Sequence, residues 1–187
     1  MATQKALDTA YINVAYAISQ LSVARRKKVG AILVAAGGGI IAEGYNGTPS
    51  GFDNNCENAL YYYGTCPEIR QEKAWIDKFC IKQTNGTWLS PANAIITELL
   101  ITKKEVLHAE SNAITKVAQS TNSSTGATLF VTLAPCFDCS KLIIQAGIKR
   151  VVYAEMYKTD DGQPKLDGIE LLTKAGIKVD KYEATMV

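Results

Sequence analysis

Apolar residues recur every three or four positions near the N-terminus, and this spacing predicts an amphipathic first helix. These positions are Ala6, Leu7, Ala10, Tyr11, Val14, Ala17, Ile18 and Leu21. Two apolar stretches follow, at 29–35 and 40–45, on either side of the triplet Gly37, Gly38 and Gly39. A glycine-rich break between two short apolar runs is typical of a β-hairpin. The chain is therefore predicted to begin with a helix and a hairpin.

The second half of the chain alternates between helical and extended patterns. Helices are predicted at about 109–120, 137–147 and 166–175, and strands at 127–133, 150–154 and 177–182. Strand–helix–strand units of this length favour parallel neighbours with right-handed crossovers. The fold class predicted is α/β, a three-layer α/β/α sandwich around a mixed sheet of about five strands.

Residues 52–105 have the least regular pattern. We interpret them as a loop-rich insertion with one helix near 68–80, inside a single domain that spans 1–187. The insertion contains Cys56, Cys66 and Cys80. These cysteines are interpreted as small buried apolar residues, and a second, thiolate-rich metal site is the alternative.

Composition and charge exclude several classes of protein. With 20 basic and 18 acidic residues the net charge is only +2, which does not predict a general nucleic-acid or membrane surface. Gln4, Lys5 and Asp8 interrupt the apolar residues near the N-terminus, so neither a signal peptide nor a membrane span is predicted. Five cysteines do not suit a disulfide framework. We therefore expect a cytoplasmic protein in a reducing compartment.

Two short motifs, each at the start of a predicted helix, combine residues that bind metals. The first is His108-Ala-Glu110, and the second is Pro135-Cys136-Phe-Asp-Cys139. Thiolates at a helix N-terminus face unpaired N–H groups and the positive end of the helix dipole, so they ionise readily. One imidazole and two thiolates are three ligands for zinc, and they leave a fourth position for water. Glu110 could then move protons between that water and a substrate.

Each motif alone has a simpler interpretation. Cys136 and Cys139 could be a buried or redox pair, and Glu110 could be an ordinary charge in a first helical turn. Together, however, His-x-Glu followed by Pro-Cys-x-x-Cys is the pattern of zinc-dependent nucleobase deaminases. The combination predicts a catalytic zinc site.

Five segments of the chain extend this similarity beyond the metal motifs. They are 22–31 (SVARRKKVGA), 44–51 (GYNGTPSG), 108–113 (HAESNA), 135–141 (PCFDCSK) and 142–148 (LIIQAGI), the last followed by Tyr153 and Tyr157. With these segments the chain resembles the cytidine deaminase superfamily and, within it, the deoxycytidylate (dCMP) deaminases. The resemblance covers most of the chain except about 55–105.

The resemblance implies hydrolysis of dCMP to dUMP and ammonia. Zn²⁺ held by His108, Cys136 and Cys139 would activate water for attack on C4, with Glu110 moving the protons. The residues implied in substrate binding are Ala134 (through its carbonyl, to the 4-amino group), Asn46 (sugar 3′-hydroxyl), Tyr157 (base and phosphate pocket), and Ser22 and Arg26 (phosphate).

The substrate-binding residues have structural alternatives. A guanidinium suits a phosphate, but the basic run 25–28 could also be a solvated helix end. Asn46 could be a turn residue beside Gly47, and Tyr157 could be packed at an interface. These alternatives stay open at the level of sequence.

The resemblance also implies regulation and assembly. Members of this family are commonly homohexamers, activated by dCTP and inhibited by dTTP, with Mg²⁺ on the triphosphate. The residues implied in this regulatory site are Gly44, Tyr45, Asn46, Gly47, Thr48 and Gly51.

Other functions would use some of the same residues. A tRNA or polynucleotide deaminase, or another nucleoside deaminase, would share the zinc and the glutamate. A polynucleotide enzyme needs an extended basic or aromatic face, however, and here the basic residues are concentrated in one short run. A non-catalytic dNTP-binding sensor would not need Glu110, and a structural zinc module would be expected to have four protein ligands. The expected partners are therefore small nucleotides, with neither nucleic acid nor membrane.

Overall fold

The computed structural model describes residues 2–64, 70–159 and 162–183, which form five helices and ten strands. In chain order these are α1 (Gln4–Ser19), β1 (Gly30–Val34), β2 (Ile40–Tyr45), β3 (Glu57–Tyr63), β4 (Arg70–Gln71), α2 (Lys73–Phe79), β5 (Ile81–Lys82), β6 (Trp88–Leu89), β7 (Ile95–Thr102), α3 (Ala109–Ala118), β8 (Thr128–Leu133), α4 (Phe137–Gln145), β9 (Arg150–Glu155), α5 (Asp167–Lys174) and β10 (Lys178–Lys181). The chain divides into two compact units. Unit 1 joins the chain up to Asn54 to the chain from Glu105 onward, and unit 2 is Asn55–Lys104.

Unit 1 is built on a mixed sheet with the strand order β10-β9-β8-β1-β2. Strands β8, β9 and β10 are parallel, whereas β1 is antiparallel to both β2 and β8. Helix α1 covers one face through a small core, and α3, α4 and α5 pack on the other side. The predicted three-layer α/β sandwich with a five-stranded mixed sheet is confirmed, and the predicted helices and strands of this unit end within a few residues of the observed ones.

Helix α1 begins at an N-cap and lies unusually close to the sheet. The Thr3 hydroxyl accepts a hydrogen bond from the Ala6 amide at 3.2 Å, which satisfies one of the free amides of the first turn. In β1, a Cβ atom added to Gly30 would lie 2.1 Å from the Ala15 carbonyl oxygen and 2.6 Å from the Ser19 amide nitrogen. Only glycine therefore allows this approach of strand to helix.

Within the described ranges, no helix has both the length and the apolar character needed to cross a bilayer.

Unit 2 contains an antiparallel sheet in the order β4-β3-β7-β6-β5, with α2 beside it. Its small core consists of Tyr61, Ile76, Trp88 and Ile96. Helix α2 falls inside the helix predicted at 68–80 of the loop-rich insertion, but the antiparallel sheet of this stretch was not predicted. The physical reason is that β3 pairs with β7 across about forty residues of sequence, and three of the strands are only two residues long. Neither feature leaves a local alternating pattern.

A half-buried ionic network joins α1 to the edge of the sheet in unit 1. The Arg150 guanidinium donates to both carboxylate oxygens of Asp8, at 2.8 and 2.7 Å, and to Asp180 at 2.7 Å. The side chains of Arg150 and Asp8 are only 17% and 15% exposed. Burial acts to raise the pKa of Asp8, but the hydrogen bonds from Arg150 and Gln4, with the charge of Arg150, hold this pKa below its usual range. The network therefore contributes to the stability of unit 1.

Replacing Asp8 with asparagine (D8N) is expected to lower the free energy of unfolding by about 1.5–3 kcal/mol near neutral pH, because a charge-assisted pair is lost. A carboxyl whose pKa is lowered by folding stabilises the protein above its unfolded-state pKa, and this stabilisation is lost as the pH falls through the lower folded-state pKa. The difference between D8N and the wild type should therefore shrink below about pH 4. Urea denaturation at neutral and acidic pH measures this difference.

D77N, which removes the exposed Lys73–Asp77 pair, is the matched control and should change the free energy of unfolding by less than about 1 kcal/mol. A D8N effect of undiminished size near pH 3 would contradict this account.

Candidate active site

Two helix starts in unit 1 bring three potential metal ligands together. His108 is the N-cap residue of α3, Cys136 is the N-cap residue of α4, and Cys139 lies in the first turn of α4. His108 Nδ1 lies 3.5 Å from Cys136 Sγ and 3.4 Å from Cys139 Sγ. Within the part of the chain that the structure describes, this is the one cluster of three or more His, Cys, Asp or Glu side chains arranged to hold an ion. The structure thus unites the three residues that the two motifs predicted.

The spacing of these donor atoms fits tetrahedral zinc. Zinc bonds of about 2.3 Å to sulfur and 2.0–2.1 Å to nitrogen, at a tetrahedral angle, separate the two ligand atoms by about 3.5 Å. The observed separations of 3.4 and 3.5 Å agree with this value. His108 is exposed, Cys136 is half-buried and Cys139 is buried, so the cluster opens to solvent on one side. Three soft or borderline donors with an open side are typical of a catalytic rather than a structural zinc site.

The two thiols differ strongly in acidity. The hydrogen bond from Cys139 lowers the pKa of Cys136 to about 4, with His108 adding to the effect and burial opposing it. The same contact, together with burial and the nearby Glu110 carboxyl, raises the pKa of Cys139 above its usual range. The lowered pKa of Cys136 favours its thiolate near neutral pH, which is the form that binds a cation.

Glu110 lies in the first turn of α3, and only 4% of its surface is exposed. Burial raises its pKa to about 7, and the neighbouring His108 opposes the shift. The side chain of Cys139 also lies next to this carboxyl. A carboxyl with a pKa near neutrality can both accept and return a proton, which is what a general acid–base group requires.

The backbone of the segment 44–51 holds the start of α3. Gly47 and Leu107 exchange two backbone hydrogen bonds, at 3.1 and 2.9 Å, directly before His108. One turn into the helix, the Asn112 side-chain amide donates to the Tyr45 carbonyl at 2.7 Å. These contacts fix the position of His108 relative to strand β2.

The other residues predicted for a regulatory site have structural contacts of their own. A Cβ atom on Gly44 would lie 2.2 Å from the Ala109 carbonyl oxygen and 2.5 Å from the Ala113 amide nitrogen, so β2 can approach α3 only with glycine there. The Thr48 hydroxyl donates to the Asp53 carbonyl at 2.9 Å, and Gly51 has a φ of +91°, in the left-handed region that favours glycine. The segment is therefore a compact turn beside the candidate active site.

Asn46 connects this turn to the basic run. Its side-chain oxygen accepts from the Val29 amide at 2.8 Å, and its side-chain nitrogen donates to the Lys27 carbonyl at 2.9 Å. The buried Ser22 hydroxyl donates to the Asn46 carbonyl at 2.7 Å. Because an amide has two donor hydrogens and two acceptor lone pairs, each end of the Asn46 side chain keeps one further hydrogen-bonding position. These contacts link Ser22 and Asn46 to the run 27–29, directly after the exposed Arg26, and we call this set of residues the loop cluster.

Ala134 and Tyr157 follow two neighbouring parallel strands. Ala134 comes directly after β8 and is buried, and its amide donates to the Glu155 carbonyl at 2.8 Å. Tyr157 comes two residues after β9, and the Lys165 ammonium lies 5.7 Å from its ring centre. Since β8 and β9 are parallel, both residues lie beyond the same edge of the sheet, where Pro135 leads into α4.

Glu155 and Gly168 also lie in this region, although neither was predicted as a site residue. The Glu155 carboxylate accepts from the Lys27 ammonium at 2.5 Å and from the Tyr16 hydroxyl at 3.3 Å, so it fixes the basic run to the end of β9. A charged residue at the carboxyl end of a parallel strand was the available signal. Gly168, in α5, contacts the backbone at Pro135 and Cys136, and no local pattern indicates this.

Of the cysteines considered for a second metal site, Cys66 lies outside the described residues, Cys56 is buried and Cys80 is half-buried.

Comparison with known proteins identifies similar sequences and structures. Residues 5–155 match the family model described as the cytidine and deoxycytidylate deaminase zinc-binding region. The chain is 36% identical to the deoxycytidylate deaminase of Enterobacteria phage T4 over 184 residues, which cover 90% of this chain and 86% of that protein. It is 29% identical to the deoxycytidylate deaminase of Homo sapiens over 172 residues, which cover 92% of this chain and 77% of that protein.

A solved structure shares the fold at the same level of identity. The crystal structure of dCMP deaminase from the cyanophage S-TIM5, in complex with dCMP and dUMP, is similar with a TM-score of 0.66 and 36% sequence identity. The match covers 97% of this chain and 99% of that one.

Proposed function

The chain belongs to the family of cytidine and deoxycytidylate deaminases with a zinc-binding region, and from that premise we propose that it hydrolyses dCMP to dUMP and ammonia. The observation that carries the proposal is the convergence of His108, Cys136 and Cys139 beside the buried carboxyl of Glu110. The relatives from phage T4 and Homo sapiens, named deoxycytidylate deaminases, and the cyanophage dCMP deaminase structure support this choice of substrate.

In the proposed mechanism His108, Cys136 and Cys139 would hold Zn²⁺, which would supply a Lewis acid that lowers the pKa of a water molecule toward neutrality. Glu110 would take one proton from the attacking water and deliver it to N3 of the cytosine ring as the new C4–O bond forms. It would then carry the second proton, from the hydroxyl now on C4, to the 4-amino group, which leaves as ammonia when the C4–N bond breaks. Its pKa of about 7 suits both transfers, because neither the protonated nor the ionised form is strongly preferred. Burial of Glu110 also keeps bulk water from competing for the proton.

The substrate would be oriented by the carboxyl edge of the sheet and by the loop cluster. The Ala134 carbonyl, directly before the Pro135–Cys136 junction, would accept a hydrogen bond from the 4-amino group. Tyr157 would line the base and phosphate pocket, and Asn46 would use one of its two remaining hydrogen-bonding positions for the sugar 3′-hydroxyl. Ser22 and Arg26 would lie at the phosphate, for which the planar guanidinium is well suited.

A panel of substrates tests this function directly. Ammonia release is measured from dCMP, CMP, deoxycytidine, dCTP and a single-stranded oligodeoxynucleotide containing cytosine, with zinc content determined on the same samples. We expect kcat/KM to be highest for dCMP. Preference for the oligonucleotide would favour a polynucleotide deaminase, and binding without any turnover would favour a non-catalytic sensor.

The variant Arg26→Ala (R26A) tests the phosphate assignment within the same panel. Losing a charge-assisted contact of about 1.5–3 kcal/mol corresponds to a fall of about 10- to 100-fold in kcat/KM for dCMP. Deoxycytidine has no phosphate, so its kcat/KM should be nearly the same in R26A and wild type. An equal loss with both substrates would remove Arg26 from the phosphate site and leave the deaminase activity itself in place.

We further propose that dCTP activates the enzyme and dTTP inhibits it, each with Mg²⁺ on the triphosphate, at the segment from Gly44 to Gly51. The support for this is the family resemblance and the intact motif. The contacts of this segment with the first turns of α3 suggest a route, because a ligand that moved the segment would also move His108 and Glu110.

Regulation is tested by turnover at dCMP concentrations below KM. Addition of dCTP with Mg²⁺ should raise the rate, and addition of dTTP with Mg²⁺ should lower it. The same additions at saturating dCMP, and Mg²⁺ alone, are the controls. If neither triphosphate changes the rate, the regulatory proposal is withdrawn and the catalytic one is unaffected.

We also propose a homohexamer that acts in the cytoplasm. The hexamer rests on the family resemblance, and a reducing compartment suits a site that requires thiolates from Cys136 and Cys139. Sedimentation equilibrium should give a particle of six chains, and a monomer at micromolar concentration would contradict the assembly.

A further inference from the structure

Gly168, the second residue of α5, lies against the backbone that carries a metal ligand. A Cβ atom added to Gly168 would lie 2.3 Å from the Pro135 carbonyl oxygen and 2.9 Å from the Cys136 carbonyl carbon. Real Cβ atoms essentially never approach heavy atoms closer than 3.0 Å. Gly168 is a helical residue with an ordinary negative φ, so what excludes a side chain here is space and not backbone conformation.

The backbone on the α4 side of this contact is held by two hydrogen bonds. The Cys136 carbonyl accepts hydrogen bonds from both the amide and the hydroxyl of Ser140, each at 2.9 Å. Ser140 is completely buried, and its hydroxyl would itself lie 2.9 Å from the added Cβ atom. A side chain at position 168 would therefore press on both the Cys136 carbonyl and the group that fixes it.

On the other side of the contact, α5 is anchored in the core of unit 1. Leu172 is fully buried, and one helical turn separates it from Gly168. Displacement of α5 would therefore disturb close-packed core contacts, which is costly. The least constrained response is a shift of the Pro135–Cys136 peptide, which would change the direction of the Cys136 side chain and of the Ala134 carbonyl.

We propose that Gly168 is a positioning residue of the metal centre, because its missing side chain lets α5 set the Pro135–Cys136 backbone and thereby the direction of Cys136 Sγ. The inference rests on the zinc site of the proposed function. Residues that contact a metal ligand without binding the metal themselves commonly change the metal affinity by about 10- to 100-fold when they are substituted.

Gly30 provides a matched control for a simple packing effect. Its added Cβ atom would clash with backbone atoms of α1 at 2.1 and 2.6 Å, a conflict as severe as that at Gly168. The contact lies between β1 and α1, and none of its atoms belongs to the metal cluster. G30A and G168A should therefore destabilise the fold in similar ways but differ in their effect on zinc.

The experiment measures zinc affinity by competition with a chromogenic chelator, using the metal-free full-length wild type, G168A and G30A. We expect G168A to bind zinc at least about 10-fold more weakly than the wild type, and G30A to stay within about threefold of it. Co²⁺-substituted G168A should also show a shifted visible absorption, since the ligand geometry is altered. Equal zinc affinity in G168A and wild type, or equal weakening in both variants, would overturn the inference.

Two further outcomes separate this inference from the proposed function. If the wild type itself binds no zinc, the proposed function fails together with the inference, whereas wild-type binding with an unaffected G168A removes the inference alone. If metal-free G168A does not fold, the protein is refolded with excess zinc and the rate of zinc transfer to the chelator is measured. Failure of G168A to fold even with zinc, while G30A folds, would make Gly168 a general packing residue and overturn the positioning role.

Discussion

Replacing Glu110 with glutamine (E110Q) is expected to lower kcat for dCMP by about 100- to 10,000-fold while leaving the bound zinc in place. Glutamine has nearly the same shape but cannot carry a proton between the attacking water and the substrate. Glu110 is not one of the three clustered ligands, so its loss should not empty the site. Steady-state kinetics with dCMP, together with zinc analysis of the same preparation, measures both quantities.

Glu43→Gln (E43Q) is the matched control for this variant. Glu43 forms an exposed ion pair with Lys116 of α3 at 2.6 Å, so E43Q also removes a carboxylate that contacts this helix. Its kcat should be close to that of the wild type. An E110Q enzyme with wild-type turnover would remove Glu110 from the mechanism, and an E110Q protein without zinc would make its role structural.

The metal cluster could be predicted from sequence because its residues occupy helix N-termini. Free amides and the dipole at a helix start favour thiolates, and the two motifs lie where the apolar periodicity of α3 and α4 begins. His108 and Cys136 are the N-cap residues themselves, so the same local pattern that predicts each helix also places its ligand. The distance between the two helix starts could not be predicted from the sequence, because it depends on how both helices pack on one face of the sheet.

The unpredicted features all depend on contacts between distant segments. Strands β3 and β7 pair through residues such as Tyr61 and Glu98, and no local period marks such a pairing. The structural role of Glu155 depends on its contacts with Lys27 and Tyr16, which lie more than a hundred residues away in the sequence. Where two backbone segments lie in close contact, as at Gly44 and Gly168, the only sign in the sequence is a glycine. Glycine is also common in turns, so its presence does not identify such a contact.

Asn46 illustrates how the structure changes the meaning of a predicted site residue. Its amide holds the backbone at Lys27 and Val29, and its carbonyl accepts from Ser22. In the proposed function it would therefore act twice, once by fixing the loop that presents Arg26 and once by contacting the sugar. Substitution of Asn46 should consequently affect the fold of the loop as well as substrate binding, which makes R26A the cleaner test of phosphate recognition.

Replacing Cys139 with serine (C139S) is expected to weaken zinc binding by at least about 100-fold and to remove detectable turnover of dCMP. Three ligands share a binding free energy on the order of 10 kcal/mol, so the loss of one thiolate costs on the order of 3 kcal/mol. Cys139 is buried, and its Sγ lies 3.4 Å from His108 Nδ1. A serine hydroxyl at this position would reach less far, would stay protonated, and would be a harder donor than zinc prefers. Zinc content after dialysis against a chelator, and ammonia release from dCMP, are the measurements.

Cys80→Ser (C80S) is the control for C139S, because Cys80 is a half-buried thiol of unit 2 that lies outside the metal cluster. C80S should keep both zinc and activity. The proposed chemistry needs a polarised water as well as a proton carrier. C139S and E110Q should therefore both lose most of their turnover for separable reasons, the first because it lacks the metal and the second although it keeps it. A C139S protein that kept stoichiometric zinc and full turnover would show that the reaction does not depend on this cluster, and the proposed mechanism would have to be abandoned.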